Sequence, residues 1–600
     1  MIELSPEQIA IRDDHGPLCV MACAGSGKTR TAVHHLAEMR GKNAGNRSRI
    51  ALLSFSNVAV DTFRADYRKL LEQRPAMAVT PLVEIETVDA FLTGLVLRPH
   101  GHRTMQAPRS AFLVAGTEPF LGGFTFFDGT HARPTKLLTH SREGGSDTFR
   151  FRNGFAMSEV DTAEALRAVN RLGKTGAYTH DLGRYWAHRT LMENPRLTEA
   201  LARRYPIILV DEAQDIGSTQ EAIFNLLIDA GSQLSLIGDV NQGIFEFAGA
   251  TGEFLSRYGE RAGVASRGLT VNFRSVPRIV TVANQLTGRN DTADRVAPAE
   301  LHGAYFIGYA QNQPAKLVEA FRNMVATAGL HVRNAAIVCR STPMVKRFGG
   351  ADEAKGQGIV RGFTEAAIAR DQLGNYPEAF KVALRCVIAL LADDHRDIAS
   401  RLARGGREVA ALRRAMWMFV RNPETGLPKG SLLAVSQWHP ALVSNVRNLL
   451  ARLKSEFGLD PCATIGQRLK KSDLVDAPLF QTPDPAAPAA AAVALRADTV
   501  HQVKGESIDA VMYVATKQHA VEMLAGVGTE DGRIGYVALT RARNLFLLAV
   551  PTNTLSELKP QLLLKGFLSV GEDGMPVRTE PVTGVSRDAN SAAHALQSPA

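Results

Sequence analysis

The sequence predicts an α/β fold of two parallel-sheet cores, each interrupted by a mostly helical insertion. Three observations predict it. Short apolar runs recur at Leu18–Met21, Ile50–Phe55, Ile207–Val210, Leu234–Ile237, Ala335–Cys339, Ala510–Val514 and Leu545–Val550. Most are flanked by helical periodicity or turn residues, the pattern of strands joined by helical crossovers. The runs also fall into an early group before about residue 270 and a later group after it. Finally, 600 residues is ample chain for several cores at about 150 residues per domain.

Composition narrows the class. With 45% hydrophobic and 22% charged residues, wholesale disorder, collagen and coiled coil are excluded. Lys plus Arg exceed Asp plus Glu by 69 to 60, a net +9, which is compatible with a polyanionic partner without requiring one. The five cysteines (Cys19, Cys23, Cys339, Cys386, Cys462) are scattered and form no CxxC pair. That usage points to a reducing compartment, away from a disulfide framework or zinc ribbon. The opening MIELSPEQIAIRDD holds no apolar signal core. No run of about eighteen apolar residues occurs, so no membrane span and a cytoplasmic location are expected.

Taken in order, the first chemistry-bearing element is ACAGSGKT at Ala22–Thr29, directly after the first apolar run. Gly25 and Gly27 let backbone N–H groups wrap round phosphates, Lys28 brings positive charge, and Thr29 can offer its hydroxyl to Mg²⁺. The following helix starts at the anion, where its dipole helps. Next, 95–200 mixes Gly- and Phe-rich loop with helix at Thr162–Arg171 and Asp181–Met192. The run Ile207–Val210 then leads into DEAQD at Asp211–Asp215. Asp211 would hold Mg²⁺ through water, and Glu212 would orient or deprotonate the attacking water. With the phosphate loop, this pair indicates an NTPase. Residues 346–485 are largely helical in pattern, with a basic stretch of Arg401, Arg404, Arg407, Arg413 and Arg414 that reads as a solvated face or as a duplex contact. Both 95–200 and 346–485 read as insertions. QTPDPAAPAAAA at Gln481–Ala492 is a Pro/Ala linker, and the last thirty or so residues lack apolar periodicity.

Further motifs surround these in a fixed order: LSPEQ at Leu4–Gln8, SFSNVA at Ser54–Ala59, TVDAF at Thr87–Phe91, IGDVNQGIFEF at Ile237–Phe247, NFRS at Asn272–Ser275, TVHQVKGE at Thr499–Glu506 and GYVALTRAR at Gly535–Arg543. With them the chain resembles the superfamily 1 helicases of the UvrD, Rep and PcrA type. The resemblance covers roughly 1–95, 195–345 and 493–550.

It implies two RecA-like P-loop domains: 1A over 1–95 and 195–270, and 2A over 271–345 and 493–555. It also implies an insertion 1B over 96–194, a helical 2B-like insertion over 346–480, the linker 481–492 and a largely disordered tail 556–600. The implied catalytic residues are Lys28, Glu212, Gln242 as γ-phosphate sensor, and the arginine fingers Arg274 and Arg541. ATP would be held by Gln8 on the adenine edge, by the loop Ala22, Cys23, Ala24, Gly25, Ser26, Gly27, Lys28 and Thr29, by Arg30, by Phe273 stacked on adenine, and by Glu506. Thr29 and Asp211 would hold Mg²⁺. Ser54, Asn57, Thr87, Phe245, Phe247, Thr499 and His501 would meet DNA.

The implied activity is ATP-dependent, 3′ to 5′ movement on single-stranded or tailed duplex DNA, in repair, recombination or phage defence. The alternative is a DNA-stimulated ATPase that regulates a partner nuclease; the chain after Val550 is too short to carry a nuclease domain itself. Several departures stand out. Phe247 replaces a frequent Trp and Ala248 a usual Arg. Asp89 stands where His is typical; a carboxylate repels phosphate, so Asp89 should point elsewhere. Gly505–Glu506–Ser507 shifts the Glu by one position, and the second insertion lacks the charged motif that opens 2B in UvrD. These features resemble shorter UvrD-like proteins, including the helicase-like subunit of Gabija systems.

Overall fold

The computed structural model describes the chain apart from residues 1–2, 43–47, 73–82, 115, 117, 154–155, 246–248, 298–300, 350–355, 373, 393–394, 396–397, 399–401, 403–406, 472–473, 481–494, 572 and 577–600. Its first core is a six-stranded sheet. Strands β1 (Leu18–Ala22), β2 (Ile50–Ser54), β3 (Val83–Thr87), β4 (Ile207–Asp211), β5 (Gln233–Gly238) and β6 (Ala265–Leu269) lie in the order β6-β1-β5-β4-β2-β3, all parallel. Strand alternation sorts the side chains. Leu18, Val20, Leu52 and Leu209 enter the core on one face, while Cys19, Leu53, Ile208 and Val210 enter that on the other.

The second core is another parallel sheet. It comprises β7 (Gly303–Tyr309), β8 (Ala335–Cys339), β9 (Arg496–Thr499), β10 (Ile508–Val514), β11 (Ala542–Pro551) and β12 (Leu568–Ser569), in the order β9-β8-β10-β11-β7-β12. The two sheets are the two RecA-like cores. Their central strands are buried on both faces, which explains why they read as continuous apolar runs. The tail was expected to be largely disordered from 556, and here the structure differs. Helix Thr552–Leu564 buries Leu558 and Leu562, Phe567 packs beneath it, and β12 pairs with β7.

The segment between β3 and β4 is more ordered than a Gly- and Phe-rich loop suggests. It holds an antiparallel meander of Leu138–Glu143, Ser146–Asn153 and Ala156–Val160, with Gly144–Gly145 as a two-residue turn, both at positive φ. Helices Thr162–Gly173, His180–Glu193 and Pro195–Arg204 follow. Their apolar residues, Trp186 and Tyr185 among them, share one continuous core with a face of the first sheet. Asp89 is half-buried, with its charge engaged within the chain. It pairs bidentately with Arg184 on this insertion (3.0 and 2.8 Å), and Gln220 donates to it at 3.4 Å.

Beside the meander sits His188, 5% exposed. Burial, reinforced by Arg142, pushes its imidazole down to about 4. The unfolded chain, with an ordinary value of about 6.5, then binds a proton that the folded chain refuses. This contribution to stability is intact above about 6.5 and is lost as pH falls toward 4. The melting temperature is expected to fall over that window, and to fall less steeply in His188→Gln; equal slopes would exclude His188 as a cause.

Between β8 and β9 lies a helical unit with a core of its own. Its main helices are Gly358–Asp371, Tyr376–Ile388, Arg407–Arg421 and His439–Phe457. Phe380 stacks on Trp417 at 4.3 Å. The buried guanidinium of Arg370 donates to the carbonyls of Val420, Leu427 and Pro428, fastening the loop after the third helix. Of the basic stretch, Arg413 and Arg414 are exposed, while Arg401 and Arg404 lie outside the described residues, as does the Pro/Ala linker. Among the described residues no helix is long and apolar enough to cross a membrane.

Candidate active site

The carboxyl ends of β1, β4 and β5 converge on one edge of the first sheet, the position where open α/β sheets bind ligands. Residues 23–27 turn there before helix Lys28–Lys42 begins at the phosphate-loop lysine. Gly25 and Gly27 have φ of +73° and +78°, which glycine alone adopts without strain. Space also demands them. A Cβ on Gly25 would lie 2.6 Å from Arg274 Cβ, and one on Gly27 would lie 2.8 Å from Gln8 Nε2. Gln8 buttresses this loop. Its Oε1 accepts the Ser5 amide (3.0 Å) in a capping box, and its Nε2 donates to the Ser26 carbonyl (3.0 Å). Each end of the amide keeps a free valence, one Nε2 proton and one Oε1 lone pair, with which an adenine edge could be read.

A cavity of about 300 Å³ opens in front of the loop, lined by Gly25–Thr29, Glu212, Gln242, Phe273, Arg274, Gly505, Ser507, Arg541 and Arg543. Asp211 ends β4, 2% exposed, and its Oδ1 has no hydrogen-bond partner among the described residues. An orphaned, buried carboxylate oxygen near Lys28 and Thr29 suits a divalent cation or its water. Glu212 has φ 54° and ψ 40°, a left-handed conformation uncommon for a side chain of this size. Such strain concentrates at functional positions. The adjacent carboxylates are driven apart in acidity. Burial and the Glu212 charge push Asp211 up. Burial would push Glu212 up too, but Lys28, Lys504, a hydrogen bond from Gln214 and Arg541 together hold it down.

The second core supplies the opposite wall. The Phe273 amide donates to the Gly25 carbonyl at 2.9 Å, fixing that ring beside the phosphate loop. Arg274 donates to the Thr540 carbonyl at 2.9 Å. Arg541, 2% exposed, donates to Gln242 Oε1 at 2.9 Å and to the Val537 carbonyl at 3.1 Å. Among the described residues neither guanidinium forms an ion pair with a carboxylate. Burial and the neighbouring Arg541 push Arg274 down to about 9, so it remains charged at neutral pH. Two cations with no direct ion pair, balanced only through space by carboxylates such as Glu212, form an anion site at the mouth of a phosphate cradle. Gln242 links the walls, since its Nε2 also donates to Asp239 at 2.8 Å, and Tyr536 donates to the same Asp239 oxygen at 3.3 Å.

Comparison with known proteins agrees with this geometry. The family model described as UvrD/REP helicase N-terminal domain matches residues 4–128 and 160–262. The first core thus resembles that of the UvrD-like proteins of superfamily 1. The chain is 24% identical over 300 residues to ATP-dependent DNA helicase UvrD2 of Mycobacterium tuberculosis, covering 46% of this chain and 42% of that protein. It is also 24% identical over 309 residues to ATP-dependent DNA helicase Rep of Escherichia coli, covering 48% and 44%. DNA helicase II of Escherichia coli gives 24% over 307 residues, covering 47% and 40%. The chain therefore spans less than half the length of these curated relatives. The family model skips 129–159, which contain the antiparallel meander except Val160.

The remaining residues of the UvrD-like motifs are placed as follows. Arg30 is half-buried on the helix that follows the loop. Glu506, expected beside the nucleotide, is corrected: its carboxylate pairs with Arg496 (2.6 and 2.8 Å), and only Gly505 and Ser507 line the cavity. The one-position shift turns the carboxylate towards β9, where Arg496 captures it. Among the expected DNA contacts, Ser54 is buried, and the Thr87 hydroxyl caps a helix by accepting the Ala90 amide. Asn57 is exposed at the start of helix Asn57–Glu72. Thr499 donates to Gln502, and His501 Nε2 lies 3.1 Å from the Ile244 carbonyl. Phe245 is half-buried between cores, edge-on to His501. Phe247 and Ala248 lie outside the described residues. Sequence reasoning missed Lys504 and Asp215, whose ammonium and carboxylate join the cores at 2.6 Å.

Proposed function

We propose that the chain is an ATP-dependent DNA translocase or helicase that moves 3′ to 5′ on single-stranded DNA. One observation carries this reading: the guanidinium groups of the second core face the phosphate loop and Glu212 of the first across one cavity. Hydrolysis then requires the cores to close, and closing and opening move them against each other. Lys28 and the amides of the phosphate loop hold the phosphates; Asp211 and Thr29 would hold Mg²⁺, which when bound would supply charge neutralisation at the phosphates. Glu212 orients the attacking water; Arg274 and Arg541 stabilise the transferring phosphoryl group. Bases stacking on an aromatic such as Phe245 supply grip that is indifferent to sequence, about 1–3 kcal/mol per base.

The purified chain is expected to hydrolyse ATP faster with single-stranded DNA and to unwind a 3′-tailed duplex. Stimulated turnover without unwinding assigns it to the alternative, an ATPase subunit that serves a partner nuclease. No ATP turnover under any DNA condition overturns the proposal.

A further inference from the structure

Lys504 leaves the second core between β9 and β10 and ends inside the first. Its ammonium donates to Asp215 Oδ1 (2.7 Å), Asp215 Oδ2 (2.6 Å) and the Gln242 carbonyl (2.9 Å), which uses all three of its protons. The two side chains are 9% and 3% exposed. The same ammonium stands 4.7 Å from the centre of the Phe245 ring. Asp215 in turn donates its amide to the Glu212 carbonyl at 2.9 Å, closing the turn that holds Glu212 left-handed. Lys504 does not line the nucleotide cavity, although Gly505 does. A buried pair of this kind is weak evidence for stability, because desolvation offsets its attraction. Its position is more informative: one ammonium touches the aromatic beside the expected DNA path, the carbonyl of Gln242 and the turn behind the catalytic carboxylate.

We infer that Lys504 is a positioning residue that makes ATP hydrolysis responsive to DNA, through the contacts Phe245–Lys504–Asp215 and the turn bearing Glu212. This rests on the reading of the chain as a DNA-stimulated ATPase. A base that stacks on Phe245 changes the ring's placement against the ammonium. The ammonium is tied to Asp215 and Gln242, so the change is passed to Glu212. The two cores need no other link for this route.

The test measures ATP turnover of the full chain against oligothymidine concentration, with KM for ATP. Lys504→Met alone strands a buried charge and is expected to lower the melting temperature. Lys504→Met combined with Asp215→Asn removes both charges. The double variant is expected to lose about tenfold in the ratio of DNA-stimulated to basal turnover, a common size for coupling between sites, while KM for ATP moves less than about threefold. Lys504→Arg should recover part of the ratio, because a guanidinium can still donate to both Asp215 oxygens. Should the double variant fail to fold, Lys504→Gln, which keeps a donor for Asp215, is expected to lower the ratio. An unchanged ratio in a folded variant, whatever its melting temperature, overturns the inference. A wild-type chain whose turnover ignores DNA overturns it too and leaves the ATPase reading standing; a wild-type chain without turnover overturns that reading.

Discussion

Replacing Arg541 or Arg274 with Ala is expected to lower kcat for ATP hydrolysis by about 10³-fold or more, the range for loss of an arginine finger. The argument is electrostatic. Both side chains come from the second core, both reach the cavity, and among the described residues neither makes a direct ion pair with a carboxylate. Their charge therefore awaits the phosphoryl group, where it is worth most as charge develops in a site closed to water. On the proposed function, ground-state ATP would be held largely by Lys28 and the loop amides, so ATP affinity should fall far less than kcat. The two losses should not add, because the fingers act on one group. Arg541→Lys should rescue little. The guanidinium bonds Gln242 and Val537 at once, and a single ammonium cannot reproduce that fork. Steady-state turnover beside equilibrium binding of a fluorescent ATP analogue separates the cases. A kcat within about threefold of wild type in both alanine variants would remove the arginines from the chemistry.

How much of this could be read from the chain alone differs by element. The phosphate loop was legible because its backbone must turn at Gly25 and Gly27, and a positive φ leaves its mark in residue type. Buried central strands such as Ile207–Asp211 were legible as apolar runs. The edges were not. Ala265–Leu269 is mostly exposed and Arg496–Thr499 is polar, since an edge strand need not be apolar on both faces. Strand Gly303–Tyr309 is buried, yet glycines at 303 and 308 break its run. The meander at 138–160 did carry a signal, Gly144–Gly145 between alternating residues, which a search for parallel sheets passes over.

Within the site, motif spelling located residue types at the cavity but not side-chain directions. Glu506 shows the difference: its motif lies beside the nucleotide, while its carboxylate belongs to Arg496. Gln8 lies at the loop, with its amide bridging Ser5 and Ser26. The Lys504–Asp215 pair was beyond reach of the sequence: both residues lie in motifs the sequence shows, but they are 289 residues apart and neither motif tells that they meet. Contacts between cores are fixed by how two sheets meet, which short motifs do not encode.

Glu212→Gln should lower kcat by about 10²–10⁴-fold, the range for loss of a general base, with little change in KM for ATP. The substitution keeps the volume and can still meet the Gln214 amide, so the left-handed turn has no reason to relax. What it removes is the charge. In the wild-type chain Lys28 and Lys504 outweigh burial and hold that carboxyl down, so it stays ionised across the neutral range and its deprotonation sets no limit on the rate there. A loss caused by misfolding would instead raise KM and lower the melting temperature together. The comparison with Arg541→Ala is informative, since both variants should bind ATP and fail to turn it over. They should differ in their response to DNA. Glu212→Gln leaves the Gln242–Arg541 contact and the Lys504–Asp215 pair in place, so ATP should still change its affinity for single-stranded DNA. Arg541→Ala breaks the Gln242 contact at 2.9 Å, and that nucleotide effect should weaken. Fluorescence anisotropy of labelled oligothymidine, with and without ATP, reads this difference. The same ATP effect in both variants would show that the arginine serves chemistry alone, and that Gln242 passes no signal through it.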